Sequence, residues 1–356
     1  MPSTQNNKQL HSKYQDKEIP VPHSFLRHRR ARPIVASLLL AAAGLMVGCE
    51  RADTAGNGHA PEAGGSPLTL GETPLSGELV FLQSNMRMQD FEFVTLDLAT
   101  GEKRRYHVGY EVSGPNFSPT SNAIVFHITR DLLTNPRDTI AFLDLETGAV
   151  RELDNLPYQA ALFPRFSPDG RQLAFYVLTD NEYRSKIYLS DLDGQDLTPI
   201  PCPAEALCRH PHWHPSGNRL LYVADETEIH EIDLATEEVK VFRSFVGDNN
   251  RTLSRAIYLK EGNKIAVLWR DKGFPRRNGI TLIYPEDEKE VVYEGRTRIP
   301  SIYEVDIPDT IALAKTNLLA RTLDAFLYNY VTGEELQISE PDRLSGGVHG
   351  RRKEMH

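Results

Sequence analysis

The chain has 356 residues, 40% of them hydrophobic and 25% charged, which predicts a folded globular protein and excludes a disordered one. The formal net charge is −9, but residues 1–48 are basic, so the rest of the chain carries 33 Lys/Arg and 47 Asp/Glu. This acidic body argues against nucleic acid or anionic lipid as the main partner, because both require a basic footprint.

The N-terminal segment has the pattern of an export signal. A basic stretch at residues 27–32 precedes fourteen uncharged, mostly apolar residues at 34–47. That run is short for a bilayer span and typical of the hydrophobic region of a signal peptide. It ends in Met46-Val47-Gly48-Cys49, which resembles the lipobox of bacterial lipoproteins, with Met46 where Leu is usual.

The lipobox resemblance implies a signal peptide over residues 1–48 and a diacylglycerol on the Cys49 thiol. The alternatives are an uncleaved anchor and an ordinary signal peptide with an incidental cysteine. Glu50 stands where enteric inner-membrane lipoproteins carry Asp, which favours the outer membrane. Residues 49–76 comprise the lipidated Cys and a flexible linker, since 50–76 are rich in Gly, Ala, Pro and Thr without an apolar period.

Six short apolar phrases recur through the rest of the chain. They are Leu79-Val80-Phe81, Ile124-Val125-Phe126, Leu173-Ala174-Phe175, Leu220-Leu221-Tyr222, Ile265-Ala266-Val267 and Ile311-Ala312-Leu313. Their last residues lie 45, 49, 47, 45 and 46 positions apart. Strand repeats with a period in the forties are typical of a β-propeller, in which each period is one four-stranded blade. The sequence therefore predicts an all-β, six-bladed propeller over residues 77–342, with 343–356 as a C-terminal tail.

Each period also has a recurring opening motif and a recurring turn motif. The second, third and fourth blades open with Pro115-Asn116-Phe117-Ser118-Pro119, Pro164-Arg165-Phe166-Ser167-Pro168 and Pro211-His212-Trp213-His214-Pro215. Third strands are expected to end at the Asp of an Asp-Leu pair, as at Asp97 and Asp144, where the carboxylate accepts backbone N–H groups. The first period lacks an innermost strand, which either residues 66–70 or the tail around 344–349 would supply; we favour the tail.

Two features of the fourth period suggest sites. Cys202 and Cys208 lie six apart in a Pro-rich segment and are expected to form a disulfide in an oxidising compartment, the alternative being two free thiols. His210, His212 and His214 at spacing two would share one face of a strand and could hold a zinc or manganese ion. The competing interpretation is that Trp213 and His214 fill the ordinary Phe-Ser positions of the repeat and no cofactor is bound.

The repeat openings, together with Ile187-Tyr188-Leu189-Ser190-Asp191-Leu192-Asp193-Gly194, resemble TolB-like propellers over roughly residues 77–340. This resemblance implies a WD40-like, six-bladed propeller in the periplasm and is poorly specific for function. Oligogalacturonate lyases, propeller enzymes with a metal held by histidines and a glutamine, are a related possibility, but their Gln-x-x-His-x-His arrangement is not found in this chain.

Two functional hypotheses follow. The first is a non-enzymatic, lipid-anchored periplasmic monomer that presents a loop-bearing face or its axial funnel to an envelope protein. Its candidate binding loops are residues 132–137, 202–208 and 272–278, including Arg137, Arg276 and Arg277. The second is a metal-dependent, carbohydrate-active enzyme that uses the His210, His212 and His214 face.

Overall fold

The structure is a computed structural model. It describes residues 65–88, 90–109, 111–130, 137–158, 160–178, 185–203, 206–244, 250–284, 288–341 and 343–352. The predicted signal peptide, Cys49 and the linker up to residue 64 lie outside the described residues. In the ranges described, no helix is long and apolar enough to cross a membrane.

The described residues form 26 β-strands. They are β1 (Thr69–Leu70), β2 (Thr73–Pro74), β3 (Glu78–Ser84), β4 (Phe91–Asp97), β5 (Lys103–His107), β6 (Glu111–Phe117), β7 (Ala123–Arg130), β8 (Arg137–Asp144), β9 (Val150–Glu152), β10 (Ala160–Phe166), β11 (Gln172–Leu178), β12 (Ser185–Asp191), β13 (Thr198–Pro199), β14 (Cys208–Trp213), β15 (Arg219–Ala224), β16 (Glu228–Asp233), β17 (Val239–Ser244), β18 (Arg251–Tyr258), β19 (Ile265–Asp271), β20 (Asn278–Ile283), β21 (Lys289–Gly295), β22 (Ser301–Glu304), β23 (Thr310–Asn317), β24 (Thr322–Asn329), β25 (Glu335–Gln337) and β26 (Leu344–Arg351). This content confirms the predicted all-β propeller.

The long strands pair as antiparallel groups of four, which we number as blades. From the axis outward, blade 1 is β26-β3-β4-β5, blade 2 is β6 to β9, blade 3 is β10 to β13, blade 4 is β14 to β17, blade 5 is β18 to β21, and blade 6 is β22 to β25. Each innermost strand contacts the next, and β26 contacts both β22 and β6. The innermost strands therefore form a closed ring around an axis.

The C-terminal strand completes blade 1. Strand β26 pairs antiparallel with β3, from Leu344 opposite Ser84 to Arg351 opposite Glu78. Residues 69–74 form the small hairpin β1-β2, and Leu70 packs into the core between blades 6 and 1. A strand from one end of the chain thus covers the edge that the first period leaves open.

The apolar phrases occupy second strands, each covered on both faces. In blade 1, Leu79 and Phe81 pack towards blade 6, whereas Val80 packs towards blade 2. Phe93 and Phe126 meet in the same blade 1–blade 2 core with ring centroids 4.8 Å apart. A strand buried on both faces is apolar without alternation, which explains why the repeat appears as consecutive apolar residues.

Third strands end at the predicted aspartates. The Asp144 carboxylate accepts the N–H groups of Glu146 and Thr147 at 2.9 and 2.7 Å. Asp97 accepts the equivalent pair at 2.9 and 3.0 Å. The hydrogen bonds from Thr147 hold the pKa of Asp144 below its usual range. These aspartates therefore act as turn formers, as the sequence predicts.

Candidate functional site

One position of the repeat decides how the blades are joined at the axis. It is the residue of the innermost strand that pairs with the middle residue of the apolar phrase, and in blades 2 to 5 it directly precedes an aromatic residue. We call it the staple position, and from blade 1 to blade 6 it is occupied by His349, Asn116, Arg165, His212, Ile257 and Tyr303.

At four staple positions the side chain accepts a backbone N–H from the next blade. The bonds run to His349 Nδ1 from Phe117 at 3.2 Å, to Asn116 Oδ1 from Phe166 at 2.9 Å, to His212 Nδ1 from Tyr258 at 3.3 Å, and to Tyr303 Oη from Gly347 at 3.0 Å. An innermost strand has no ladder partner towards the axis, so its N–H groups need acceptors of another kind. The staple side chains supply them.

Because the imidazoles at staple positions accept a backbone N–H, it is known which of their ring nitrogens carries the hydrogen. A ring that accepts at Nδ1 carries its hydrogen on Nε2. Burial, and then the nearby charge of Arg165, holds the pKa of His349 well below its usual range. Nε2 of His212 lies 3.2 Å from Oε2 of Glu304. His212 and His349 are thus parts of the blade-to-blade joints.

The structure places His210, His212 and His214, the predicted metal face, in different surroundings. The register of β14 shifts between Arg209 and His212, and His210 has a φ of +56°, so the alternation on which the prediction rests is broken. The His210 ring lies edge-on to Phe163, with centroids 5.2 Å apart.

The other two rings both lie near Tyr258 but have different polar partners. Nε2 of His214 lies 3.1 Å from the carbonyl oxygen of Gly262 in blade 5, and His212 contacts Tyr258 and Glu304 as described. No three His, Cys, Asp or Glu residues of the described chain are arranged to hold a metal ion.

A funnel opens at the axis beside the staple position. Its volume is about 1110 Å³, and its wall includes Asn116, Arg165, His212 and His349. The exposed turn residues 119–122 lie at its mouth. The funnel therefore opens at the end of the propeller where innermost strands turn into second strands.

The lining mixes both signs of charge, and most of its cations have carboxylate partners. The pairs are Arg351 with Glu78, Arg352 and Lys260 with Asp306, and Arg104 with Glu102. These contacts lie around the rim, where they are half-exposed and contribute little stability.

Arg165 differs from the rim cations. Its side chain is 8% exposed and lies in the funnel wall. Burial, and then the charge of Arg255, lowers the pKa of Arg165 to about 10, so the guanidinium is charged at neutral pH. Within the described part of the chain, the guanidinium has no hydrogen-bond partner and no carboxylate at ion-pair distance.

Arg255, the second arginine at the axis, has hydrogen-bond and aromatic partners in the neighbouring blades. Its Nη1 donates to the carbonyl oxygen of Ile302 and its Nη2 to Nδ1 of His210, both at 3.3 Å. Its guanidinium carbon lies 5.0 Å from the centroid of the Tyr303 ring, within cation–π range. Arg255 is therefore partnered where Arg165 is not.

The binding loops predicted from sequence lie at the other end of the propeller, where second strands turn into third strands. Arg137 donates to the carbonyl oxygen of Asp154 at 3.4 Å; residues 132–136 of its loop are outside the described residues. Arg276 is exposed, and Nε of Arg277 lies 3.0 Å from Oδ2 of Asp271. These arginines do not meet the funnel lining.

The Cys202–Cys208 disulfide also lies at that end, where the chain enters β14. The two Cα atoms are 6.3 Å apart. Residues 204 and 205 of the closed loop are not described. Cys208 is fully buried in the core between blades 3 and 4, so the bond fixes the start of β14 to the preceding segment.

Sequence reasoning missed Asn116, Arg165 and His349 as site residues. A signal was present, because Asn116 and Arg165 occupy the same place in two repeat openings, although the residue type at that place differs from blade to blade. His349 had no such signal, since its strand follows the last repeat and joins the ring only through the pairing of β26 with β3.

No protein-family profile and no curated protein sequence matches the chain. Solved structures do match. A structure of a nidogen/laminin complex is 11% identical, with 77% of this chain and 98% of that chain covered and a TM-score of 0.58. A protein identified as TolB from Agrobacterium tumefaciens is 12% identical, with 78% and 100% covered and a TM-score of 0.55.

An oligogalacturonate lyase in complex with manganese is also similar, at 12% identity, with 74% and 78% covered and a TM-score of 0.50. At such identities the likenesses establish architecture. They show that this chain has the fold of a TolB-like β-propeller, and the same fold includes both non-enzymatic proteins and an enzyme.

Proposed function

We propose that this protein is a non-enzymatic propeller of the bacterial envelope, anchored by lipid at Cys49, which binds a segment of a partner polypeptide in its axial funnel. The observation that carries the proposal is the funnel itself, about 1110 Å³ in volume and lined by residues of all six blades at one end of the closed ring. Such a rigid, open cavity suits an extended chain segment.

The distribution of the polar groups supports binding over catalysis. The imidazoles of His212 and His349 and the amide of Asn116 each use one acceptor atom for a backbone N–H of the next blade. Those acceptor atoms are therefore engaged by the fold and are not free to act as general bases. The groups left facing the funnel are hydrogen-bond donors and rim charges, which are suited to recognition.

Photo-crosslinking in native envelopes tests the proposal. A photoreactive residue at Thr120, exposed at the funnel mouth, should yield a discrete crosslinked protein. The same residue at Val241, which is 45% exposed on β17, is the matched control and should not. Equal crosslinking from both positions, or none from Thr120, would count against binding in the funnel.

The lipid anchor has its own test. A Cys49→Ser variant should move from the membrane fraction to the soluble periplasmic fraction, and metabolic labelling with a fatty acid should be lost. A variant that stays in the membrane fraction unlabelled would indicate an uncleaved signal anchor instead.

A further inference from the structure

The funnel wall contains a cation, Arg165, with no carboxylate of the described chain at ion-pair distance. Arg165 is 8% exposed, and nothing in the described chain satisfies its guanidinium. Because Arg165 lines the funnel, a ligand bound there can supply the partner that the described chain does not.

Arg165 lies on the innermost strand of blade 3 and lines the funnel. Its charge acts on His349 of blade 1, and it is itself influenced by Glu304 of blade 6. Glu304 is engaged with His212 through the 3.2 Å contact between Oε2 and Nε2. Arg255 lies near enough for its charge to act on Arg165 as well.

Two further donors line the same cavity. Asn116 uses Oδ1 for the N–H of Phe166, the residue next to Arg165, which leaves its Nδ2 group for another partner. His349 uses Nδ1 for Phe117, so its Nε2 carries a hydrogen. No acceptor is found for either donor among the residues that the structure describes.

We propose that Arg165, Asn116 and His349 form a carboxylate-binding site in the floor of the funnel. A guanidinium presents parallel donors that match the two oxygens of a carboxylate, and flanking amide and imidazole N–H groups fit its remaining lone pairs. The inference rests on the proposed function and specifies its ligand: the bound segment of the partner carries an acidic side chain or a free C-terminal carboxylate.

Binding can be followed through a tryptophan. The chain has two tryptophans, and Nε1 of Trp213 donates to the carbonyl oxygen of Arg165 at 3.2 Å in the funnel wall. Trp269 is fully buried in the core between blades 4 and 5, away from the funnel, and provides an internal reference.

The probes are two blocked fifteen-residue peptides, five repeats of Gly-Ser-Glu and five of Gly-Ser-Gln, together with sodium acetate and inorganic phosphate. The Glu peptide should bind at least tenfold more tightly than the Gln peptide by fluorescence titration and calorimetry. An Arg165→Gln variant should lose that difference, whereas Arg276→Gln, the same charge change at the opposite end, should keep it.

A second variant distinguishes a loss of binding from a loss of folding. Asn116→Asp keeps an oxygen for the N–H of Phe166 and adds an internal carboxylate beside Arg165. It should remain folded by circular dichroism and bind the Glu peptide at least tenfold more weakly. Undiminished binding by a folded Asn116→Asp protein would overturn the site.

The remaining outcomes separate the site from the proposed function. Equal binding of both peptides would refute the carboxylate site and leave funnel binding intact. Arg165-dependent binding of acetate without either peptide would support the site, with a small carboxylate as its ligand, and refute the polypeptide function. Binding of none of these probes, or tighter binding of phosphate than of acetate, would refute the carboxylate assignment.

Discussion

Buried neutral histidines should make the stability of this propeller depend on pH. His127 on β7 is 7% exposed, and its Nδ1 accepts the N–H of Phe163 in blade 3 at 3.4 Å. The two rings pack with centroids 4.8 Å apart. Burial lowers the pKa of His127 to about 3.

The sign follows from comparing the folded and unfolded states. In the unfolded chain the His127 pKa is about 6.5, so between about pH 6.5 and 3 only the unfolded state binds a proton, and stability falls as the pH falls. At about 1.4 kcal/mol per pH unit, His127 alone removes about 2 kcal/mol between pH 7 and 5. His210 and His349, whose pKa values are also lowered by burial, act in the same direction.

Urea denaturation at pH 7, 6 and 5 measures the effect. A His127→Gln variant should lose about 2 kcal/mol less over this interval than the wild type, whatever its stability at pH 7. Thr139→Val is the control, because it removes a buried hydrogen bond of 2.8 Å to the carbonyl oxygen of Leu153 without removing a titrating group. The free energy of unfolding of Thr139→Val should change between pH 7 and 5 by the same amount as that of the wild type. A His127→Gln protein with the full wild-type dependence would refute the reasoning.

Three further predictions concern joints of the ring. Replacing Cys202 and Cys208 by Ala should lower the free energy of unfolding by about 2 kcal/mol in urea, with no additional effect of a reducing agent. Asn116→Ala leaves an N–H of the next blade without its acceptor and should cost about 1–3 kcal/mol in the same assay, whereas a loss below 0.5 kcal/mol would deny the staple role. A chain ending at residue 343 lacks β26 and should aggregate on size-exclusion chromatography because β3 becomes a free edge, whereas one ending at 352 should stay monodisperse.

Local patterns predicted much of the ring because the same physics acts in every blade. A second strand covered on both faces must be apolar throughout, so Leu79-Val80-Phe81 and its repeats could be recognised without a structure. The Asp144 turn was equally predictable, since its hydrogen bonds lie within three residues.

Contacts between distant parts of the chain were not predictable in the same way. Alternation along a strand suggested that His210, His212 and His214 share a face, but a register shift and a left-handed residue at His210 separate them. Arg165 appeared as an ordinary variable residue, and only its position at the axis shows it to be buried and unpaired.

By itself, the sequence determined the fold class, the period and the turns, because burial of strands and local hydrogen bonds depend on residues close together in the chain. Tertiary structure decided the rest. The ring brings His349 against Phe117, 232 positions away, and gathers Asn116, Arg165 and His349 around one funnel. Such groupings depend on how the blades close around an axis. The sequence of a single repeat does not predict which residues will meet there.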